Sequence, residues 1–157
     1  MNGVAAFTSC FALMLCRAAA AIDQPLEQCL ERYGSILETS SEERLEKPAK
    51  THRFSKDGID VSATTADDKV VALQFISSDA ELLSMTVQLT AAQISSLLLR
   101  HAESWNFPTK LPPFTSWKSG DGELVAQYND ATGTLTICKK EFREAFTNTA
   151  AAAPAGS

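Results

Sequence analysis

The chain is 157 residues long and acidic, with 14 lysines and arginines against 19 aspartates and glutamates and a formal net charge of −5. That balance is a poor match for a nucleic-acid backbone, and no polybasic patch is present to hold anionic lipid. The sequence contains no Cys-x-x-Cys, no His-Glu-x-x-His, no Cys-x-x-Cys-His and no phosphate-cradling glycine loop, so it predicts no metal or cofactor and offers no catalytic residue to name.

Val4 to Cys16 is a nearly unbroken apolar run, too short to cross a bilayer of roughly 30 Å as a helix. Behind it come Arg17 and the alanines Ala18 to Ala21, a small-residue stretch suited to signal peptidase. The only positive charge ahead of the run is the terminal amine. Residues 1–21 are therefore expected to be a signal peptide, cleaved after Ala20 or Ala21, which makes the protein exported, periplasmic or secreted. Arg17 is the only charged side chain in that segment, so its removal takes the net charge to −6. At the other end, residues 147–157 are small and polar and predict a disordered tail. What lies between, 22–146, suffices for a single domain that buries roughly two-thirds of its unfolded surface.

The first predicted element is an amphipathic helix, in which Leu26, Cys29, Leu30 and Tyr33 fall on one face, with Pro25 at its first turn and Gly34 at its end. Glu38 to Lys50 has Leu45 as its one large apolar residue and reads as a solvated, mobile connection. Strands are expected at Arg53–Lys56 and Ile59–Ala63, flanking the Asp57-Gly58 turn, and at Lys69–Ile76. Leu83, Met85, Val87 and Leu89 alternate with polar residues and predict a further strand over 82–89.

Thr90 and Gln93 have capping-box spacing, and Leu89 and Ile94 the spacing of a hydrophobic staple, so a helix starts at Ala91. Ile94, Leu97, Leu98, Ala102 and Trp105 are expected along its buried face. The prolines of Asn106 to Phe114 forbid helix there. Strands follow at Phe114–Lys118, Leu124–Tyr128 and Thr134–Cys138, joined by turns at Gly120-Asp121-Gly122 and Asn129–Gly133, and a short last helix spans Lys140–Phe146. Elements grouped in this way predict an α+β domain: an antiparallel sheet of about six strands in two meanders, with the helices packed on one face.

The Cys29–Gly34 run Cys-x-x-Arg-Tyr-Gly, the Lys56–Gly58 hairpin, and Trp117 leading to Asp121-Gly122, Ala126 and Tyr128 resemble a class of small exported bacterial proteins of uncharacterised function. The helix-plus-meander order is similar to the beta-lactamase-inhibitor-protein-like fold and to the small outer-membrane assembly lipoproteins that use it. The resemblance implies no catalytic motif. Leu15 before Cys16 and Ser9 before Cys10 depart from the small residue that lipid modification needs, so no membrane anchor is expected after cleavage.

Of four cysteines, Cys10 and Cys16 leave with the signal peptide, and Cys29 and Cys138 remain as the one pair for a disulfide in an oxidising compartment. Against a bridge, Leu135 and Ile137 define one face of their strand, which places Cys138 with Thr134 and Thr136 on the other. A nucleophilic Cys29 would need a base, for which His52 and His101 are the only histidines; His101 lies on the apolar helix face, where a histidine is usually packed. Trp105, Phe107, Phe114 and Trp117 around the prolines either fill the core or form a binding surface. The leading expectation is an exported, non-enzymatic protein that binds a protein or glycan partner in the envelope or outside the cell. The alternatives are a small thiol-dependent hydrolase using Cys29, and a glycan-binding module using Trp105 and Trp117.

Overall fold

The computed structural model describes residues 21–80 and 85–147. Its centre is one antiparallel sheet of eight strands: β1 (Glu38–Glu42), β2 (Ala49–Lys56), β3 (Ile59–Ala66), β4 (Lys69–Ser77), β5 (Thr109–Leu111), β6 (Phe114–Lys118), β7 (Leu124–Asn129) and β8 (Thr134–Lys139). The spatial order is β1-β2-β3-β4-β8-β7-β6-β5. The expected sheet of about six strands in two meanders is thus corrected to eight strands in one continuous sheet, closed at its middle by the β4–β8 pairing of Ala72–Phe75 with Leu135–Cys138.

Both additional strands lie at the edges, where a strand needs no apolar face. β1 falls inside the segment read as a mobile connection, and all but one of its residues are exposed. Polar contacts accompany its pairing with β2: Arg53 meets Glu38 at 3.1 Å, and Thr51 Oγ1 donates to Glu42 at 3.1 Å. The rest of that segment is also held. Leu45 packs against the buried cluster of Ala66, Val71, Ala72, Cys138 and Phe146, while the Arg44 guanidinium lies 4.6 Å from the Phe146 ring centre and the Lys47 ammonium 5.1 Å from that of Phe142. β5 is three exposed residues ahead of the cis Pro112-Pro113 bond. The strand expected over 82–89 is not found: 81–84 lie outside the described residues, and Met85–Leu89 is irregular. That stretch lies against the β7–β8 hairpin, with the Leu89 N–H donating to Tyr128 Oη at 3.1 Å and Gln88 Nε2 to the Asp130 carbonyl at 2.5 Å.

The helices are α1 (Glu27–Tyr33), α2 (Ala91–Leu99) and α3 (Arg143–Thr147), the last entered through a 3-10 turn at Lys140–Phe142. The capping box at the start of α2 is formed as expected. Thr90 Oγ1 accepts from the Gln93 N–H at 3.2 Å and Gln93 Oε1 from the Thr90 N–H at 2.8 Å. In α1, Cys29 and Tyr33 are buried, but Leu30 is 39% exposed and belongs to the rim. Thr147, expected to begin the tail, is buried at the end of α3, and its hydroxyl donates to the Arg143 carbonyl at 2.7 Å; 148–157 lie outside the described residues.

The helices do not share one face, which corrects a second part of the expected arrangement. Cys29, Tyr33, Leu97 and Leu98 pack with Phe54, Val61, Leu73, Phe75, Leu135 and Ile137 into the main core, so α1 and α2 cover the first face. α3 packs on the second, where Phe146 joins Ala66, Val71, Ala72 and Cys138 in a smaller cluster. The reason is the period of two along β8: Ile137 points into the main core, so its neighbour Cys138 faces the opposite way, toward α3. The beginning of the described chain is anchored as well. Ile22 lies in the main core, the Asp23 N–H donates to the Val70 carbonyl at 2.7 Å, and Asp23 pairs with Lys139 at 3.2 Å.

Candidate functional site

The four aromatic residues singled out by the sequence are divided between the two faces. Trp105, Phe107 and Trp117 line one cleft of about 760 Å³ together with Ser95, Leu98 and Leu99 of α2 and with Asn106 and Pro108. Phe114 precedes Trp117 by three positions on β6, so it points to the second face and lines a separate cleft there, which Trp117 also borders.

Three local features build the first cleft. α2 stops at Leu99 rather than running on toward Trp105, and the Trp105 indole N–H donates to the Leu98 carbonyl at 2.8 Å, which also accepts the His101 N–H at 3.0 Å. The backbone of Trp105 then pairs with Ser119 as an isolated bridge, and the Gly120 N–H donates to the Ser104 carbonyl at 3.0 Å. A Cβ at Gly120 would lie 2.2 Å from Ser104 Oγ, so glycine permits this approach. Trp117 forms the third part, half-buried on β6 and packed on the core beside Trp105.

These two indoles are the floor, since both pack against the core. The rim is different: Phe107 is 99% exposed and Leu99 is 66% exposed. Two large apolar side chains standing in water beside an apolar hollow is the arrangement that marks binding surfaces on soluble proteins. The sequence reading included Phe107 but missed Leu99. Its signal was there: Leu97 and Leu98 fill the buried face of the helix, which leaves a third consecutive leucine off that face.

The two thiols are free and wholly buried, and they occupy different clusters on opposite faces of the sheet. The Cys29–Cys138 bridge expected as one outcome is therefore not formed. Burial pushes the Cys29 thiol up to about 11 and that of Cys138 up to about 12, the reverse of what a nucleophilic cysteine requires. Neither histidine serves Cys29 as a base. His52 is bracketed by hydroxyls, with Nδ1 at 3.0 Å from Thr39 Oγ1 and Nε2 at 3.2 Å from Thr65 Oγ1. His101 is 3% exposed with its ring centre 5.8 Å from that of Phe75, and neither ring nitrogen has a hydrogen-bond partner among the described residues. Burial, with the nearby charges of Arg32 and Arg100, lowers its pKa to about 3. No group of three or more His, Cys, Asp or Glu side chains among the described residues is placed to hold a metal ion.

No protein-family model matches the sequence, and comparison with curated proteins gives no match. Among solved structures, the chain is similar to a cysteine-rich secretory protein from Staphylococcus aureus, at 10% identity and a TM-score of 0.43, over 78% of this chain and 46% of that one. The chain thus spans less than half the length of that protein.

Proposed function

We propose that the protein is an exported, non-enzymatic binding protein, and that the cleft between α2 and the Trp105–Trp117 pair receives an apolar segment of a protein partner. The observation that carries this reading is the exposure of Phe107 and Leu99 on the rim of a hollow floored by two tryptophans. Association takes this exposed apolar surface out of water, which favours the bound state. A protein segment suits the cleft better than a sugar. The Trp105 indole N–H is committed to the Leu98 carbonyl, and Ser95 and Asn106 are the polar side chains left on the lining to meet sugar hydroxyls. Export rests on the apolar run and the alanines behind it, and a chain beginning at Ala21 or Ile22 keeps the Ile22 anchor in the core.

A photo-cross-linking amino acid placed at position 107 in the native host tests the reading. The expected result is a protein adduct in the exported fraction on a chain whose mass begins at Ala21 or Ile22, and loss of that adduct when Leu99→Ser is added. A chain that keeps Met1, or retention of a glycan that Trp105→Ala abolishes, would overturn it. Rapid alkylation of Cys29 in the folded protein would favour a thiol enzyme instead.

A further inference from the structure

The second face carries a cleft that the proposed function does not use. It has a volume of about 460 Å³, and its lining includes the hydroxyls of Thr109 and Ser116, the amide of Gln127, the ring of Phe114, the ammonium of Lys118 and the guanidinium of Arg143. The register explains the grouping. Thr109 pairs with Ser116, and Ser116 with Gln127, so the three lie in one row across β5, β6 and β7. Phe114 and Lys118 stand two positions to either side of Ser116 on the same strand face. Lys118 pairs with Val125 and Val125 with Cys138, above which α3 packs, so α3 brings Arg143 to the lysine end of the row.

The charges are unusual for this chain. In a protein of net charge −5, two cations share a cleft whose lining holds no carboxylate, and neither pairs with an acidic group among the described residues. The neutral groups are equally specific. Gln127 Nε2 donates to Ser116 Oγ at 3.3 Å, which leaves the Gln127 carbonyl oxygen and the Thr109 hydroxyl for another partner. We propose that this cleft binds a carboxylated saccharide. The Phe114 ring supplies an apolar surface for the carbon face of a sugar, the hydroxyl and amide groups exchange hydrogen bonds with sugar hydroxyls, and Arg143 with Lys118 holds the carboxylate, the guanidinium offering it paired donors. The cleft is of small-ligand size. The groups that the register collects here are side-chain hydroxyls, an amide and two cations, the set that a sugar acid would meet, whereas an extended acidic peptide would pair with the free backbone edge of β5 beside them.

A glycan array carrying uronic- and sialic-acid oligosaccharides beside their neutral counterparts, followed by calorimetric titration of the best acidic glycan into the full chain, tests this. Acidic members are expected to bind at least about tenfold tighter than neutral ones. Arg143→Gln and Lys118→Gln should each weaken binding by about tenfold, the scale of a charge-assisted hydrogen bond, and both residues are exposed, so the fold should persist with an unchanged melting temperature. Raising the salt to 0.5 M should weaken it further, while Phe107→Ser on the other face should leave it unchanged. Retention of no acidic glycan, equal binding of neutral ones, tighter binding of a tetraglutamate peptide, or indifference to both cation substitutions would overturn the proposal.

Discussion

One step along each strand separates two unlike surfaces. On the first face, a row across the sheet reads His52, Ala63, Leu73, Ile137, Ala126 and Trp117; on the second, the adjacent row reads Arg53, Ser62, Gln74, Thr136, Gln127 and Ser116, extended by Glu38 at one edge and Thr109 at the other. The first row lies under α1 and α2, and its central residues are fully buried. The second is spanned by side-chain hydrogen bonds, Arg53 to Glu38 at 3.1 Å, Gln74 to Thr136 at 3.4 Å and Gln127 to Ser116 at 3.3 Å. The comparison teaches that this domain draws its stability from one face and leaves most of the other wet, with α3 and Leu45 covering only the Cys138 end. A sheet built this way keeps a broad polar surface available without exposing apolar strand residues to aggregation.

The comparison breaks most directly at Phe75, which is fully buried and contacts the rings of Tyr33 and His101. Phe75→Ala should cost about 3–5 kcal/mol in denaturant unfolding through lost transfer energy and a cavity. A cost below about 1 kcal/mol would show that the first face is not the dominant core.

Acid should act through the first face next. The His101 pKa falls from an ordinary 6.5 to about 3 in the folded state, chiefly by burial, so the unfolded chain takes up a proton that the folded chain refuses. Its contribution is fully present above pH 6.5 and is lost as the pH falls from 6.5 toward 3. His52 acts in the same direction over the same range, since burial and then the nearby Lys50 lower its pKa too, and Glu42, held down to about 2 by Arg44 in the folded state but ordinary at 4.5 when unfolded, adds its own loss as the pH approaches 4.5. Between about pH 6.5 and 5.5 the unfolding free energy should decline in the parent chain and decline less steeply in His101→Leu, the remaining slope belonging to His52; equal slopes would mean that His101 contributes nothing.

A smaller effect belongs to the helix that covers the first face. Thr90→Ala removes the side-chain acceptor for the Gln93 N–H and should cost about 1 kcal/mol, read as a shift in denaturant midpoint at unchanged m-value. Smallest is the change beside Phe75 on the other face. Gln74→Ala deletes a half-buried amide with a long 3.4 Å hydrogen bond to Thr136 and should stay within about 0.5–1 kcal/mol. Equal costs for Phe75→Ala and Gln74→Ala would erase the distinction between the faces.

Local signals determined a good deal without the fold. The Thr90–Gln93 box located the start of α2 because its two hydrogen bonds close within one helical turn. Asp57-Gly58 located the β2–β3 hairpin, with both residues at positive φ, 53° and 76°. The alternation of Leu135 and Ile137 already placed Cys138 on the far side of its strand, which is why the bridge to Cys29 fails to form. Three things required tertiary structure. β1 and β5 are strands because a neighbour's free edge pairs with them, and nothing in Glu38–Glu42 or Thr109–Leu111 alternates between polar and apolar. The second face received α3 because the chain leaves β8 at Cys138–Lys139, and only packing selects the side on which Phe146 is buried. The division of the aromatics between two clefts depended likewise on how strands distant in sequence align. Pairing between such strands is long-range, and no spacing within either segment encodes it.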